Sequence, residues 1–234
     1  MTLPITGERT IPGVPAENYW FRRHEAAYLA AARLCGGARV LDAGCGEGYG
    51  AAVARGAGVA QIVALDYDAA TIEHAHLAYA LPAVRANLVA MPFRLATFDV
   101  VLSLQTIEHL WNQPAFLSEC ARVLRPGGWL VLTTPNRLTF PPGDLFHARE
   151  LDADGLLALV AEAGLTTETV LGVHHGLLFD DYRGDVVADQ LATEPEAWPS
   201  ELTALVTRVT AQDFTLSSNG LAECLDLYLV AGHP

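Results

Sequence analysis

The sequence predicts an α/β fold, a sheet of parallel strands with helices on both faces. Three observations predict it. Short apolar runs alternate with helical stretches of roughly 10 residues or more from residue 39 onward. Those apolar runs are continuous, as strands buried on both faces must be. A glycine-rich loop joins the first run to the helix behind it, and an acid closes the second run.

Each element follows from its residues. Residues 1–18 read as an irregular arm, because Pro4, Gly7, Pro12, Gly13 and Pro15 interrupt any regular element. A helix runs from Tyr19 to Leu34 and ends at Gly36 and Gly37. Arg39 to Leu41 is the first strand, and Ala51 to Arg55 lies in the next helix. Gln61 to Leu65 is a strand and Ala69 to Ala80 a helix. Ala83 to Leu88 is a weak strand, and Phe98 to Leu102 a strong one. Pro114 to Leu124 is a helix, Trp129 to Thr133 a strand, and Asp152 to Ala163 a helix stopped by Gly164. Thr167 to Val173 is the sixth strand. Residues 176–220 then break the alternation with an acidic, proline-containing stretch holding one or two helices. Leu225 to Ala231 returns as the seventh and last strand. The chain therefore divides into an arm and helix over 1–34 and a main domain over 35–234. The segment at about 176–220 is inserted in that domain, as a lid over the site or an interface arm.

Composition excludes several function classes. The chain has 234 residues, with 14 Lys+Arg against 27 Asp+Glu, a net charge of −13. Binding to nucleic acid or to an anionic membrane needs basic patches, so neither partner is expected. No apolar run reaches the roughly 20 residues that span a bilayer. Met1 to Thr10 lacks the basic and apolar regions of a signal peptide, so a cytoplasmic protein is expected. Cys35, Cys45, Cys120 and Cys224 are scattered and form no CxxC pair, which suits free thiols. The oligomeric state is not written in the sequence.

The strongest signal is Val40-Leu41-Asp42-Ala43-Gly44-Cys45-Gly46-Glu47-Gly48-Tyr49-Gly50. It lies where a strand ends and a helix begins, so its glycines let the chain turn sharply against a ligand. Asp66 follows roughly 20 residues on, at the end of the next strand, where an acid hydrogen-bonds ribose hydroxyls. Gly46 to Ala51 also fits the GxGxxA pattern, so an NAD-linked oxidoreductase is a rival. Asp42 argues against that rival: a carboxylate before the first glycine repels a pyrophosphate but suits a ligand with an ammonium and a positive sulfur.

The stretch Asp42 to Gly48 resembles motif I of class I S-adenosylmethionine-dependent methyltransferases, and later landmarks fall in order. Asp66 looks like the ribose acid. Asn87 and Leu88 occupy the adenine-contacting stretch, Phe98 to Val101 begins the fourth strand, and Leu124 to Leu130 looks like the turn into the fifth. The resemblance implies a Rossmann-like, seven-stranded, mostly parallel sheet with S-adenosylmethionine bound at Asp42, Gly44, Gly46, Gly48, Asp66, Asn87, Leu88 and Gln105. A closer resemblance covers most of the chain. Thr6 to Pro12, Glu17 to His24, Ile107 to Trp111, Thr134 to Arg137 and Phe146 to Leu151 look like a small actinobacterial group. That group acts in the cytoplasmic polymethylated polysaccharides of mycobacteria; one branch resembles the sugar 1-O-methyltransferases of methylmannose polysaccharide, and a sister branch goes with methylglucose lipopolysaccharides. It implies methylation of a sugar hydroxyl, with a small oligosaccharide as partner. Other small acceptors, a quinone or a secondary metabolite, are the rival reading.

Methyl transfer to a neutral hydroxyl needs the acceptor held in line and its proton removed or polarised. His147, in the loop after the fifth strand, is the expected general base; a histidine capping the helix near Asp152 and a metal ligand are its other readings. Gln105-Thr106-Ile107-Glu108-His109 resembles an ExxEH metal site with Gln105 in place of the first acid. Glu108, His109 and His147 would then be catalytic residues holding a divalent ion, expected as Mg²⁺, or would only shape the pocket. Arg23, in the basic cluster Arg22-Arg23-His24, is expected at the cofactor's carboxylate, with Tyr19 beside it. Trp20, Trp111, His174 and His175 are expected to line the acceptor pocket. His74 and His76 are expected in solvent on a helix far from the cofactor.

Overall fold

The computed structural model describes residues 9–234, so the resemblance carried by Thr6, Gly7 and Glu8 lies outside the described residues. Helix α1 (Asn18–Ala31) precedes the sheet. Strands β1 (Arg39–Ala43), β2 (Gln61–Asp66) and β3 (Ala83–Arg85) alternate with α2 (Tyr49–Gly56) and α3 (Ala69–Tyr79). After them come β4 (Phe98–Leu104), α4 (Gln113–Val123), β5 (Leu124–Pro135), α5 (Ala153–Glu162) and β6 (Thr166–His175). The inserted segment holds α6 (Val186–Ala192), α7 (Ser200–Arg208) and β7 (Phe214–Ser217), and β8 (Asp226–Gly232) closes the chain.

Helix starts follow the polar residues that begin them. Asp68 accepts from the Thr71 amide at α3, Asn112 from Ala115 at α4, and Asp152 from Gly155 at α5. Each satisfies an amide that has no partner inside its helix. Asp152 caps α5 itself, so His147 is not needed for that task.

The strands form one sheet in the order β3-β2-β1-β4-β5-β8-β6-β7. Strands β1 to β5 pair in parallel, and β8 runs antiparallel between β5 and β6. The sheet is mostly parallel, as expected, but it has eight strands rather than seven. The extra strand is β7, from the end of the insertion, which pairs antiparallel with Gly172–His175 at the sheet edge. The core packs on both faces. Val40, Val100, Leu102 and Val131 meet α1 and α2 on one, while Leu41, Val101, Leu130 and Leu132 meet Phe116, Leu117, Leu156 and Val160 on the other. The order reverses between β1 and β4, and in open α/β sheets ligands bind there, beyond the carboxyl ends of the strands.

Candidate active site

A cavity of about 760 Å³ opens at that edge. Its wall includes Gly44, Gly46, Asp66, Asn87, Leu88, Gln105, Glu108, His109 and His147, together with Trp20 and Arg23 from α1. Gln190 to Pro195 and Trp198 of the insertion complete the wall.

The glycine loop is shaped by its own contacts. Gly44 has φ +87°, and a Cβ there would meet Thr106 at 2.4 Å. Gly48 has φ +101° and lets the start of α2 approach Ala75 of α3; it packs two helices and is not on the cavity wall. The Gly44 and Cys45 amides both donate to the Leu65 carbonyl, at 2.8 and 3.0 Å, and Gly48 donates to Cys45. The Gly46 amide donates to Asp66 Oδ2 at 3.0 Å. These four amides are spent inside the loop, so a pyrophosphate would find none of them free. Carboxyl groups of buried Glu47 and nearby Asp66 lie at the same place, where a pyrophosphate is disfavoured. The NAD-linked reading fails on both counts.

Asp66 is held by two amides, Gly46 on Oδ2 and Asp68 on Oδ1, each at 3.0 Å. A carboxylate has about four acceptor positions, so two remain for a ligand's hydroxyls. Burial raises the Asp66 pKa, and those amides and Arg9 oppose the rise. Asp42 sits behind the loop, not on the wall: it is fully buried and accepts from the Tyr28 hydroxyl at 3.2 Å. Burial, with the Asp66 charge as a smaller cause, pushes its pKa up to about 7. Gln105 holds φ +55°, uncommon for a side-chain-bearing residue, as its amide donates to the Thr133 carbonyl at 3.0 Å. Such backbone strain concentrates at functional sites.

Glu108, His109 and His147 meet as the sequence suggested. Their ligand atoms all lie within 4.8 Å of one another. His109 Nδ1 is 3.1 Å from the Phe146 carbonyl, which only accepts, so Nδ1 carries the proton and Nε2 is left with a lone pair. His147 Nδ1 is 2.8 Å from Glu150 Oε1, which fixes the same tautomer against a carboxylate. Glu108 is buried and accepts from the Thr134 hydroxyl at 3.1 Å. Burial raises its pKa, and His109 and His147 pull it back.

Several expected site residues lie elsewhere. Tyr19 is fully buried off the wall, its hydroxyl 2.7 Å from His175 Nε2 and its ring against Phe179 and Phe214. His175 stacks on Phe179 at 4.0 Å, so it packs the insertion onto the sheet rather than lining the acceptor pocket. His174 is also off the wall, with a buried Nε2 near Gly172. Trp111 is 91% exposed and off the wall. Arg23 is on the wall, but it is paired with Asp226 of β8, on the opposite half of the sheet from Asp66. His74 is not solvated: its Nε2 is 2.8 Å from Glu47 Oε1, beside the loop, whereas His76 is exposed as expected.

Sequence reasoning missed Thr106, Phe140, Gln190 and Glu194, all on the wall, while His24 of the expected basic cluster does lie there. His24 is half-buried among packed neighbours, and that desolvation lowers its pKa to about 4. All four cysteines are free and buried. Among the described residues no helix is long and apolar enough to cross a membrane.

A mostly parallel sheet, a switch-point cavity and an acid beside a glycine loop match a Rossmann-like class I methyltransferase. The comparisons agree: the family profile described as a methyltransferase domain matches residues 41–132. A Mycolicibacterium smegmatis protein named as a probable S-adenosylmethionine-dependent methyltransferase is 45% identical over 99% of this chain and 96% of its own. A ubiquinone biosynthesis O-methyltransferase of Thiobacillus denitrificans is 30% identical over 69% of this chain and 80% of its own. A solved S-adenosylmethionine-dependent methyltransferase of Thermotoga maritima shares the fold, with a TM-score of 0.64 at 17% identity over 92% and 93% of the two chains. The chain belongs to the S-adenosylmethionine-dependent methyltransferases.

Proposed function

We propose that the protein methylates a sugar hydroxyl, the 1-OH of a 3-O-methylated mannose oligosaccharide in mycobacterial polymethylated polysaccharide synthesis. The observation that carries the O-methyl part is the paired histidines, each with Nδ1 tied off and a lone pair left on Nε2 beside the Glu108 carboxylate. That is the equipment for taking a proton from a weak nucleophile. The sugar part is supported by motifs shared with the mycobacterial group, by the 45% identical mycobacterial relative and by the charge of the wall. Among the described residues, seven acids (Glu17, Glu47, Asp66, Asp68, Glu108, Asp144 and Glu194) share that wall with two arginines, which disfavours a phosphorylated acceptor.

S-adenosylmethionine, when bound, supplies a methyl group on a positive sulfur. Asp66 holds ribose hydroxyls, Asn87 and Leu88 border the adenine, and Gly44, Gly46 and Gln105 line the rest of the cofactor's bed. His147 Nε2 takes the acceptor's proton, and Glu150 stabilises the imidazolium that results. Residues 190–198 close over the acceptor as a lid. Glu108, His109 and His147 also fit a divalent ion, which would lower the acceptor hydroxyl's pKa. Two imidazoles and one carboxylate suit Mn²⁺ or Zn²⁺ at least as well as the Mg²⁺ expected from oxygen-rich ligands.

The test is a mass-shift assay with S-adenosylmethionine on 3-O-methylmannose oligosaccharides, reducing end free or blocked, with and without chelator. One methyl gained only on the free-end sugar supports the reading. No transfer to either sugar overturns it. A quinone-type acceptor is the second reading, favoured by the 30% identical ubiquinone biosynthesis O-methyltransferase.

A further inference from the structure

We propose that Phe140 is the specificity residue of the acceptor pocket: its ring, set against the His147 imidazole, receives an O-methyl group that the acceptor already carries, so a partly methylated sugar is taken in preference to a bare one. This rests on the sugar reading above and names the residue that selects within it.

Phe140 is held in place by the chain around it. Fully buried Asn136, just past β5, donates through Nδ2 to the carbonyls of Leu221 and Cys224 at 3.0 and 3.1 Å. The Thr139 hydroxyl donates to the same Cys224 carbonyl at 2.7 Å, and the Phe140 amide donates to the Asn136 carbonyl at 2.9 Å. The turn is thereby tied to the segment that leads into β8. It sets the Phe140 ring 5.0 Å from the His147 ring, centre to centre, with the planes tilted by 38°. Phe140 is half-buried and on the cavity wall, so part of its ring is open beside the base. Position assigns it to the acceptor rather than to the cofactor's ribose. Phe140 follows β5, three strand spacings from Asp66 on β2, roughly 14 Å across the sheet.

The surroundings set the chemistry that the ring selects. Half-buried Trp20, Leu110 and Trp198 line the same cavity, so apolar surface stands among its acids. A hydroxyl turned toward the phenyl ring gives up hydrogen bonds to water and finds no partner there. A methyl ether has no proton to place, and it buries its methyl group against the ring. One such carbon in an apolar site is worth about tenfold or more in kcat/KM. Carbons 1 and 3 of one sugar ring are separated by a single carbon. A base at the 1-hydroxyl and an apolar contact at a 3-O-methyl group therefore fall on adjacent side chains, as His147 and Phe140 are.

The experiment measures kcat and KM for mannose oligosaccharides with a free reducing end, 3-O-methylated or bare at that residue, in wild type, Phe140→Ala and Phe140→Leu. Wild type prefers the methylated acceptor about tenfold or more in kcat/KM. In Phe140→Ala the preference falls toward one through a higher KM for the methylated acceptor, and the Kd for S-adenosylhomocysteine stays within about twofold. Phe140→Leu keeps an apolar contact and retains only part of the preference. Wild type that takes both acceptors equally overturns the proposal and leaves the sugar reading intact. A preference undiminished in Phe140→Ala also overturns it. So does an equal fall in kcat on both acceptors, because the ring would then only seat His147. A Kd that weakens as much as KM overturns it as well, since the ring would serve the cofactor. If wild type methylates neither sugar, both readings fall. Where Phe140→Ala does not melt cooperatively, Phe140→Leu decides, and an undiminished preference there overturns the proposal.

Discussion

Replacing Asp42 by asparagine tests how the loop acid is used. Asp42 is sealed at the end of β1, and burial outweighs its hydrogen bonds from Tyr28 and the Ala51 amide, so its pKa stands at about 7. In the unfolded chain an aspartate titrates near 3.9. Between those values the folded protein keeps a proton that the unfolded chain has lost. Stability therefore falls as pH rises through that window, and the penalty is complete above about pH 7. Three pKa units correspond to about 4 kcal/mol. Asparagine keeps an oxygen for the Tyr28 hydroxyl and has no charge to bury. Asp42→Asn is expected to match wild type near pH 4 and to gain about 4 kcal/mol by pH 8. At roughly 2–4 °C per kcal/mol for a domain of this size, that is a rise in Tm of about 8–16 °C.

The same substitution carries a functional cost. The positive sulfur and ammonium of S-adenosylmethionine favour the ionised acid, so wild-type affinity for it increases as pH rises toward 8. The variant loses that increase, and S-adenosylhomocysteine, without the sulfonium, shows a smaller dependence in both proteins. Urea unfolding at a series of pH values, with calorimetric titration of both ligands, measures each effect. Parallel stability curves for wild type and Asp42→Asn between pH 4 and 8 would refute the reasoning.

Gly44→Ala places a methyl 2.4 Å from Thr106 on a backbone at φ +87°, so strain and overpacking together cost about 3 kcal/mol. Thr106→Ala in the same chain recovers the packing part and leaves the strain, which a thermal melt of the two variants resolves. His147→Gln lowers kcat about 10²- to 10⁴-fold with S-adenosylhomocysteine affinity unchanged; full turnover would remove His147 as the base. Asp66→Ala weakens S-adenosylhomocysteine by roughly 10- to 100-fold through lost charged hydrogen bonds, and an unaltered Kd would move the ribose elsewhere.

The parts of the molecule that the sequence showed are local. The loop from Asp42 to Gly48, the acid Asp66 and the strand–helix alternation depend on neighbours in the chain, and the structure places them in order. The cluster Glu108–His109–His147 was also legible, because two consecutive strands of a parallel sheet deliver their loops to one edge. What escaped depends on distant partners. Arg23 finds Asp226 across 203 positions, and Tyr19 finds His175 across 156. Tyr19, His174 and His175 carry the residue types of a site, yet two of them make a packed joint and the third lies off the cavity. Nothing in their local pattern separates those roles. The eighth strand escaped for a similar reason: Phe214 to Ser217 is only four residues long and exists through its pairing with the end of β6.

Those distant contacts also explain why the two ends of the chain build one cover. Asn18 at the start of α1 donates to the carbonyls of Val206 and Val209, at 2.8 and 2.9 Å, at the end of α7. Tyr19 packs between His175, Phe179 and Phe214, and Arg23 ties the helix to β8. The N-terminal helix and the insertion are thus packed together, and α1 joins them to both halves of the sheet: Arg23 reaches β8, while Tyr28 donates to Asp42 at the end of β1. A change in the insertion therefore passes through α1 to the acid behind the glycine loop, so the two ends of the cavity are coupled through one helix.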